Sequence, residues 1–257
     1  MSYNNQPSLF DEVGKEEKLF SIVTNESSAA DVIAITGYYG ITGFSFLPFD
    51  VRLLFDLSVN AFYTVVYARM SELPLTRQII SFGQKVLVSA EKAAVSQKSS
   101  AKCEIEIAER RAAEQAAVDR GDPDTLAVLE AAHKVWCEIH RLQGLLRFCP
   151  DENGMYAARC EPDHFVLPAL GPHFRERFGQ TPWVIVDEKR RLRLNCIGGG
   201  PPELCGAEES PSAKPQGEWE NLWRLYHKTI NNESRNNRSL QRGFMPKRYW
   251  KYLTEMQ

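Results

Sequence analysis

The chain lacks any run of about 20 consecutive apolar residues, the length a helix needs to cross a bilayer. Its opening, MSYNNQPSLFDEVGKEE, has neither the basic start nor the apolar run of a signal peptide, so a cytoplasmic protein with no membrane contact is expected. Six cysteines (Cys103, Cys137, Cys149, Cys160, Cys196, Cys205) include no C-x-x-C pair, which argues against a disulfide framework. Nor do they form the close triplet that would hold an iron–sulfur cluster. Gly198-Gly199-Gly200-Pro201-Pro202 lacks the Gly-Lys-Ser/Thr ending of a phosphate loop. His133, Cys137 and His140 share a helical face by spacing, but a fourth metal ligand is wanting. No metal and no cofactor is therefore expected. A global excess of either charge is missing too. The formal net charge is -2, so attraction for nucleic acid would have to come from a local patch.

What is present fits an α+β protein: helices packed on a small antiparallel sheet of about four strands, with a helical C-terminal end. The 257 residues, 43% hydrophobic, suffice for a real core. Residues 1–30 read as a flexible tail and 31–257 as a single domain. Gly37, Gly40 and Gly43 suggest a short strand and tight turn near the start. Apolar residues recur at helical spacing from Val51 to Ser71, and again from Leu75 to Ser89. Lys92–Arg120 is rich in strong helix formers. Gly121-Asp122-Pro123-Asp124 interrupts it, with Asp122 or Asp124 placed to cap a helix running to about Leu142. Asp151-Glu152-Asn153-Gly154 reads as the turn of a hairpin between Leu145–Cys149 and Met155–Cys160. His164–Phe178 reads as helix, in two pieces because of Pro168 and Pro172. A second hairpin joins Pro182–Asp187 to Arg191–Ile197. Residues 198–217, rich in Gly, Pro, Ser and Glu, read as a flexible loop. Glu218–Thr229 and Ser234–Leu253 close the chain as helices.

The last segment, NNESRNNRSLQRGFMPKRYWKYLTEMQ, interleaves basic and aromatic residues. Cations neutralise phosphates and flat rings stack on bases, so this is the composition of a nucleic-acid contact surface. Arginine adds a planar fork suited to phosphate oxygens. The candidate contacts are Arg141, Arg147, Arg175, Arg177, Arg190, Arg238, Lys247, Arg248, Tyr249 and Trp250. An ordinary solvated surface, with the arginines paired to Glu176, Asp187 and Glu188, is the alternative. His140 and His173 are candidate acid–base groups, with Glu138 and Asp163 as partners. A polar network joining helix to sheet would use the same residues without chemistry. At the other end, Gln6-Pro7-Ser8-Leu9-Phe10 resembles the peptide by which bacterial repair proteins hold the β sliding clamp. Gln6, Leu9 and Phe10 would be its anchors.

Four blocks occur in a fixed order. They are Glu138-Ile139-His140-Arg141-Leu142-Gln143-Gly144-Leu145-Leu146-Arg147-Phe148, then Glu161-Pro162-Asp163-His164 with Leu167-Pro168. Gly171-Pro172-His173-Phe174-Arg175-Glu176-Arg177-Phe178 follows. The last is Trp223-Arg224-Leu225-Tyr226 with Asn236 and Met245-Pro246-Lys247-Arg248-Tyr249-Trp250-Lys251. This order, over roughly Phe55 to Glu255, resembles a bacterial family of uncharacterised "probable DNA metabolism proteins". Such proteins are encoded beside a putative DNA-modification or repair radical-SAM protein, or are fused ahead of a uracil-DNA glycosylase domain. The resemblance implies a DNA-repair or base-modification accessory protein that binds DNA and works with such a partner. It does not carry glycosylase activity to this chain. An enzyme acting on a nucleobase through His140 or His173, and a protein–protein adaptor without DNA contact, are the other two expectations.

Overall fold

Short polar side chains set the first helix boundaries. Asp50 accepts from the Arg52 amide at 2.9 Å and caps α1 (Val51–Leu57). Ser58 both closes α1, donating its amide to Leu54, and caps α2 (Val59–Met70) through the Ala61 amide at 3.0 Å. The apolar run from Val51 to Ser71 is therefore two helices, broken where a serine satisfies both ends. The computed structural model describes residues 47–97, 101–151, 154–207, 217–235 and 237–256. The clamp-like peptide Gln6–Phe10 and the Gly37–Gly43 turn lie outside these residues.

Contacts divide the chain into two units, one ending at Trp136 and the other beginning at Cys137. The first is helical: α1, α2, α3 (Thr76–Ser96), α4 (Lys102–Ala117) and the start of α5 (Pro123–Leu145). Its buried residues include Leu54, Phe62, Val65, Val66, Phe82 and Val86. Phe62 meets Phe55 edge-on at 5.4 Å. Gly83 lies under the Phe49 ring, where a Cβ would collide with it. Asp122 caps α5, accepting from the Thr125 amide at 2.8 Å, with Pro123 at the first helical position as expected. Lys85 ties to Asp119 at 2.7 Å near the same turn.

The second unit carries the sheet, in the order β1 (Cys149–Pro150), β2 (Tyr156–Cys160), β3 (Trp183–Asp187), β4 (Leu192–Cys196), β5 (Glu203–Gly206). Both expected hairpins are present, β1 with β2 and β3 with β4. The sheet has five strands instead of about four, and β2 pairs with β3 in parallel, Ala157 opposite Val184 and Arg159 opposite Val186. A parallel pair needs a crossover, and α6 (Leu167–Phe178) supplies it. Every residue of β3 is buried, which suits a strand covered on both faces. Ala157, Val184 and Val186 pack on one side with Met155 and Ala207. Trp183 lies 6.1 Å from Phe174 of α6, in an aromatic group with Phe148, Phe178 and Tyr156.

Two expectations are corrected here. The loop expected over 198–217 contains β5, because backbone pairing to β4 outweighs the weak strand preference of its Gly- and Pro-rich surroundings. Residues 208–216 of that loop lie outside the described residues. And α6 is one helix through Pro172, not two. Pro168 sits in the first turn, where no amide is needed. Gly171 precedes Pro172 and has no Cβ to clash with the proline ring, which removes much of the usual penalty on that residue. A Cβ at Gly171 would in addition meet the Pro202 side chain at 3.2 Å.

Beyond β5 come α7 (Glu218–Ile230), a 3-10 turn at Glu233–Arg235, and α8 (Arg238–Phe244). Two more 3-10 segments, Lys247–Tyr252 and Thr254–Met256, follow. Asn237 caps α8 through the Leu240 amide at 3.0 Å. No helix of the described residues is long and apolar enough to cross a membrane.

Candidate functional site

The carboxyl ends of the parallel strands β2 and β3 gather the charged residues of the second unit. At the centre is Glu138, on α5 and only 1% exposed. Its Oε1 accepts from the Asp163 amide at 2.8 Å, the Tyr249 hydroxyl at 2.5 Å and the Arg248 guanidinium at 3.1 Å. Its Oε2 accepts from the His164 amide at 2.8 Å. A buried carboxylate is tolerated when its lone pairs are filled in this way. Arg248 reaches on to Asp163 at 2.7 Å, donates to the Tyr249 hydroxyl at 2.9 Å, and lies over the Tyr249 ring at 4.7 Å. Burial, then the bond to Glu138, pushes the Tyr249 hydroxyl well above the usual phenol range.

The surrounding charges are matched in the same manner. Arg190 donates to Asp187 at 2.8 Å and to the carbonyls of Pro162 and Asp163 at 3.1 and 2.9 Å. Asp187 is fully buried, and desolvation raises its carboxyl despite the Arg190 bond that opposes it. Lys189 donates to the Asp163 carbonyl at 2.9 Å. Lys251 pairs with Glu161 at 2.6 Å, and Tyr252 donates to Glu188 at 2.6 Å. A second tie fixes the chain end: Arg147 grips Glu255 through two nitrogens, at 2.7 and 3.3 Å. Trp223 donates to the same carboxylate at 3.1 Å, and Arg224 to the Thr254 carbonyl at 3.2 Å. Burial alone would raise the Glu255 carboxyl, but the Arg147 bonds bring it below its ordinary value.

These bonds sort the candidate residues. Glu138 and Asp163 do come together, but around Arg248 and Tyr249, as a clamp on the segment Lys247–Tyr252. Tyr249 is 1% exposed, so its ring is buried in this arrangement. Arg147, Arg190 and Arg248 are held by carboxylates, and Arg175 donates to the Gly199 carbonyl at 3.0 Å. Trp250 is half-buried, its indole donating to the Met245 carbonyl at 2.8 Å. Arg141 is half-buried, while Arg177, Arg238 and Lys247 are exposed. His140 is exposed on α5. His173 is half-buried on α6, and its Nε2 is buried with no hydrogen-bond partner among the described residues. Desolvation, then the positive charge of Arg177, lowers the His173 imidazole below its ordinary value.

A second surface is of the opposite kind. Between residues 217 and 256 there are eight Lys and Arg against four Glu, in a chain whose net charge is -2. Arg235, Arg238, Arg242 and Lys247 are exposed. Their side chains have no ion pair among the described residues. In the same stretch of chain Trp223, Tyr226 and Phe244 are 41%, 52% and 69% exposed. Trp223 and Tyr226 lie 5.7 Å apart with their planes tilted by 34°. His227, Asn231, Arg235, Leu240, Gln241 and Phe244 line a concavity of about 340 Å³ between α7 and α8. Sequence reasoning passed over His227, Asn231 and Gln241. The four-residue spacing of His227, on the amphipathic α7, and Asn231, just past its end, was the signal available.

Residues 103–255 match the sequence model of a family described as a domain of unknown function, DUF4130. No curated protein and no solved structure matches the chain.

Proposed function

The chain belongs to the DUF4130 family, and from that premise we propose that it is a DNA-metabolism accessory protein that contacts DNA through the exposed face of α7, α8 and Lys247. One observation carries this reading: residues 217–256 expose four cations that have no ion pair among the described residues, together with three aromatic rings. Exposed cations release counterions from a phosphate backbone, and exposed rings stack on bases. The Glu138 clamp supports the reading in a different role, by fixing the position of the segment that carries Lys247. A catalytic role for Glu138 has less support, since its oxygens are already taken up by Arg248, Tyr249 and two backbone amides, and Asp163 holds Arg248 through one carboxylate oxygen. The resemblance in the four sequence blocks extends the proposal to a radical-SAM or uracil-DNA-glycosylase-type partner. The exposed apolar residues Leu222, Leu225 and Ile230 on α7 favour a second reading, a surface for that partner protein.

The test is fluorescence-anisotropy binding to single- and double-stranded oligonucleotides across a salt series. Arg238→Ala plus Lys247→Ala is run beside wild type, because Arg248 is engaged with Glu138 and a change there would disturb the fold. Each cation that meets a phosphate contributes about 0.7 to the single-strand salt slope, so the double variant should lose roughly 1.4. Absence of binding at low salt refutes DNA contact and leaves the adaptor reading.

A further inference from the structure

We propose that the concavity between α7 and α8 receives one unpaired base of single-stranded DNA, with Phe244 as the stacking platform. The inference rests on the DNA-contact reading and adds a receptor to it. Phe244 is the most exposed of the aromatic rings named above, at 69%, and it stands in the wall of a concavity instead of on a flat face. A large apolar ring presented to a concave space is suited to a flat, apolar-faced ligand. Leu240 offers a second exposed apolar wall. The rest of the lining is polar and of the kind that reads a base edge. Asn231 and Gln241 each carry a carboxamide, with donor and acceptor side by side, the Gln241 amino group making a long contact to Met256 Sδ at 4.0 Å. Asn237 spends its oxygen on the α8 cap, at 3.0 Å from the Leu240 amide, which leaves its amino group as a donor. Arg235 in the lining is exposed and has no ion pair among the described residues, and its fork fits the phosphate attached to the base.

The volume of about 340 Å³ falls at the small end of ligand pockets, a size that suits a single nucleotide. A base within a duplex has both faces covered by its neighbours, so only an unpaired one can meet Phe244. Free nucleotides share the chemistry of a planar base with a phosphate, and the experiment separates the two sources.

Three probes are titrated: a short single strand, the same strand with one abasic position, and a deoxynucleoside monophosphate. Phe244→Ala should weaken binding of the intact strand by about 5- to 150-fold, the range of one lost stacking contact. Its salt slope should stay at the wild-type value, because no cation is removed. Phe244→Trp should restore affinity, which answers the objection that the alanine variant is misfolded. Placing the abasic position along the strand should reproduce the loss at one register. If the wild type binds the strand and Phe244→Ala binds it equally well, the receptor is overturned while the DNA contact stands. If the monophosphate binds through Phe244 and the strand does not, the strand assignment is overturned. If no nucleic acid binds at all, the contact reading and the receptor fall together.

Discussion

Glu138→Ala isolates the clamp. The substitution removes the acceptor of four donors: two backbone amides, the Tyr249 hydroxyl and the Arg248 guanidinium. Tyr249 is buried, so its hydroxyl cannot turn to water for a replacement. Breaking a buried charged pair by deleting one partner costs about 3–5 kcal/mol, because the other charge is left uncompensated. Arg248 keeps Asp163 at 2.7 Å and is half-exposed, which places the expected loss at the low end, about 3 kcal/mol. Glu138→Gln should fall between, since one oxygen remains for Tyr249 while an amino group turns toward donors. Tyr249→Phe removes only one hydroxyl and should cost about 1–2 kcal/mol. Urea unfolding measures all three, and the pair Glu138→Ala with Tyr249→Phe closes a double-mutant cycle. The two losses should add to clearly more than the double variant shows. A Glu138→Ala loss below about 1 kcal/mol, or full additivity, would refute the idea that this carboxylate holds the segment in place.

Other outcomes follow from particular contacts. Gly171→Ala would normally strengthen a helix by about 1 kcal/mol, but here it should destabilise by about 1–3 kcal/mol, because the new methyl meets Pro202 and precedes Pro172. A rise in Tm would contradict that. The His173 imidazole is held below its ordinary value of 6.5, so the fold favours its neutral form. That contribution is complete above about pH 6.5 and is lost as the pH falls toward the lower folded value. His173→Gln should flatten the decline in Tm between pH 7 and 5, and an unchanged profile would refute it. Glu255 works through the ionised form: its carboxyl is lowered, so its stabilisation is present above the ordinary carboxylate value and lost as pH falls through the folded one. Arg147→Ala should weaken that acid sensitivity, the Trp223 bond to Glu255 remaining, and increase amide exchange over residues 254–256.

The parts of this fold that could be read in advance are those decided by local chemistry. Pro123 with Asp122 marks a helix start wherever it occurs, and the two hairpins announce themselves by turn residues between apolar runs. What could not be read was decided by partners far away in sequence. The parallel pairing of β2 with β3 needs the crossover that α6 supplies, and the passage of that helix through Pro172 is eased by a glycine one position before the proline. Strand β5 has little preference of its own and exists because β4 offers it a ladder. The candidate site divides along the same line. Glu138, Asp163, Arg248 and Tyr249 could be picked out by residue type, but a charge beside an aromatic looks the same whether it faces solvent or a buried carboxylate. Only the burial of Glu138 on α5 tells that Tyr249 turns inward and that Arg238 and Lys247 remain outside.

The bond from Tyr249 to Glu138 also has a bearing on synthesis. Its two ends are 111 residues apart in the chain. At about 5–20 residues per second, a ribosome needs several seconds to more than twenty to bridge that interval. For most of it α5 and residues 161–164 are already made, yet Glu138 has no Tyr249 or Arg248 to meet. The second unit of the nascent chain must wait with its centre solvated, and it can close only when Arg248 and Tyr249 have left the exit tunnel.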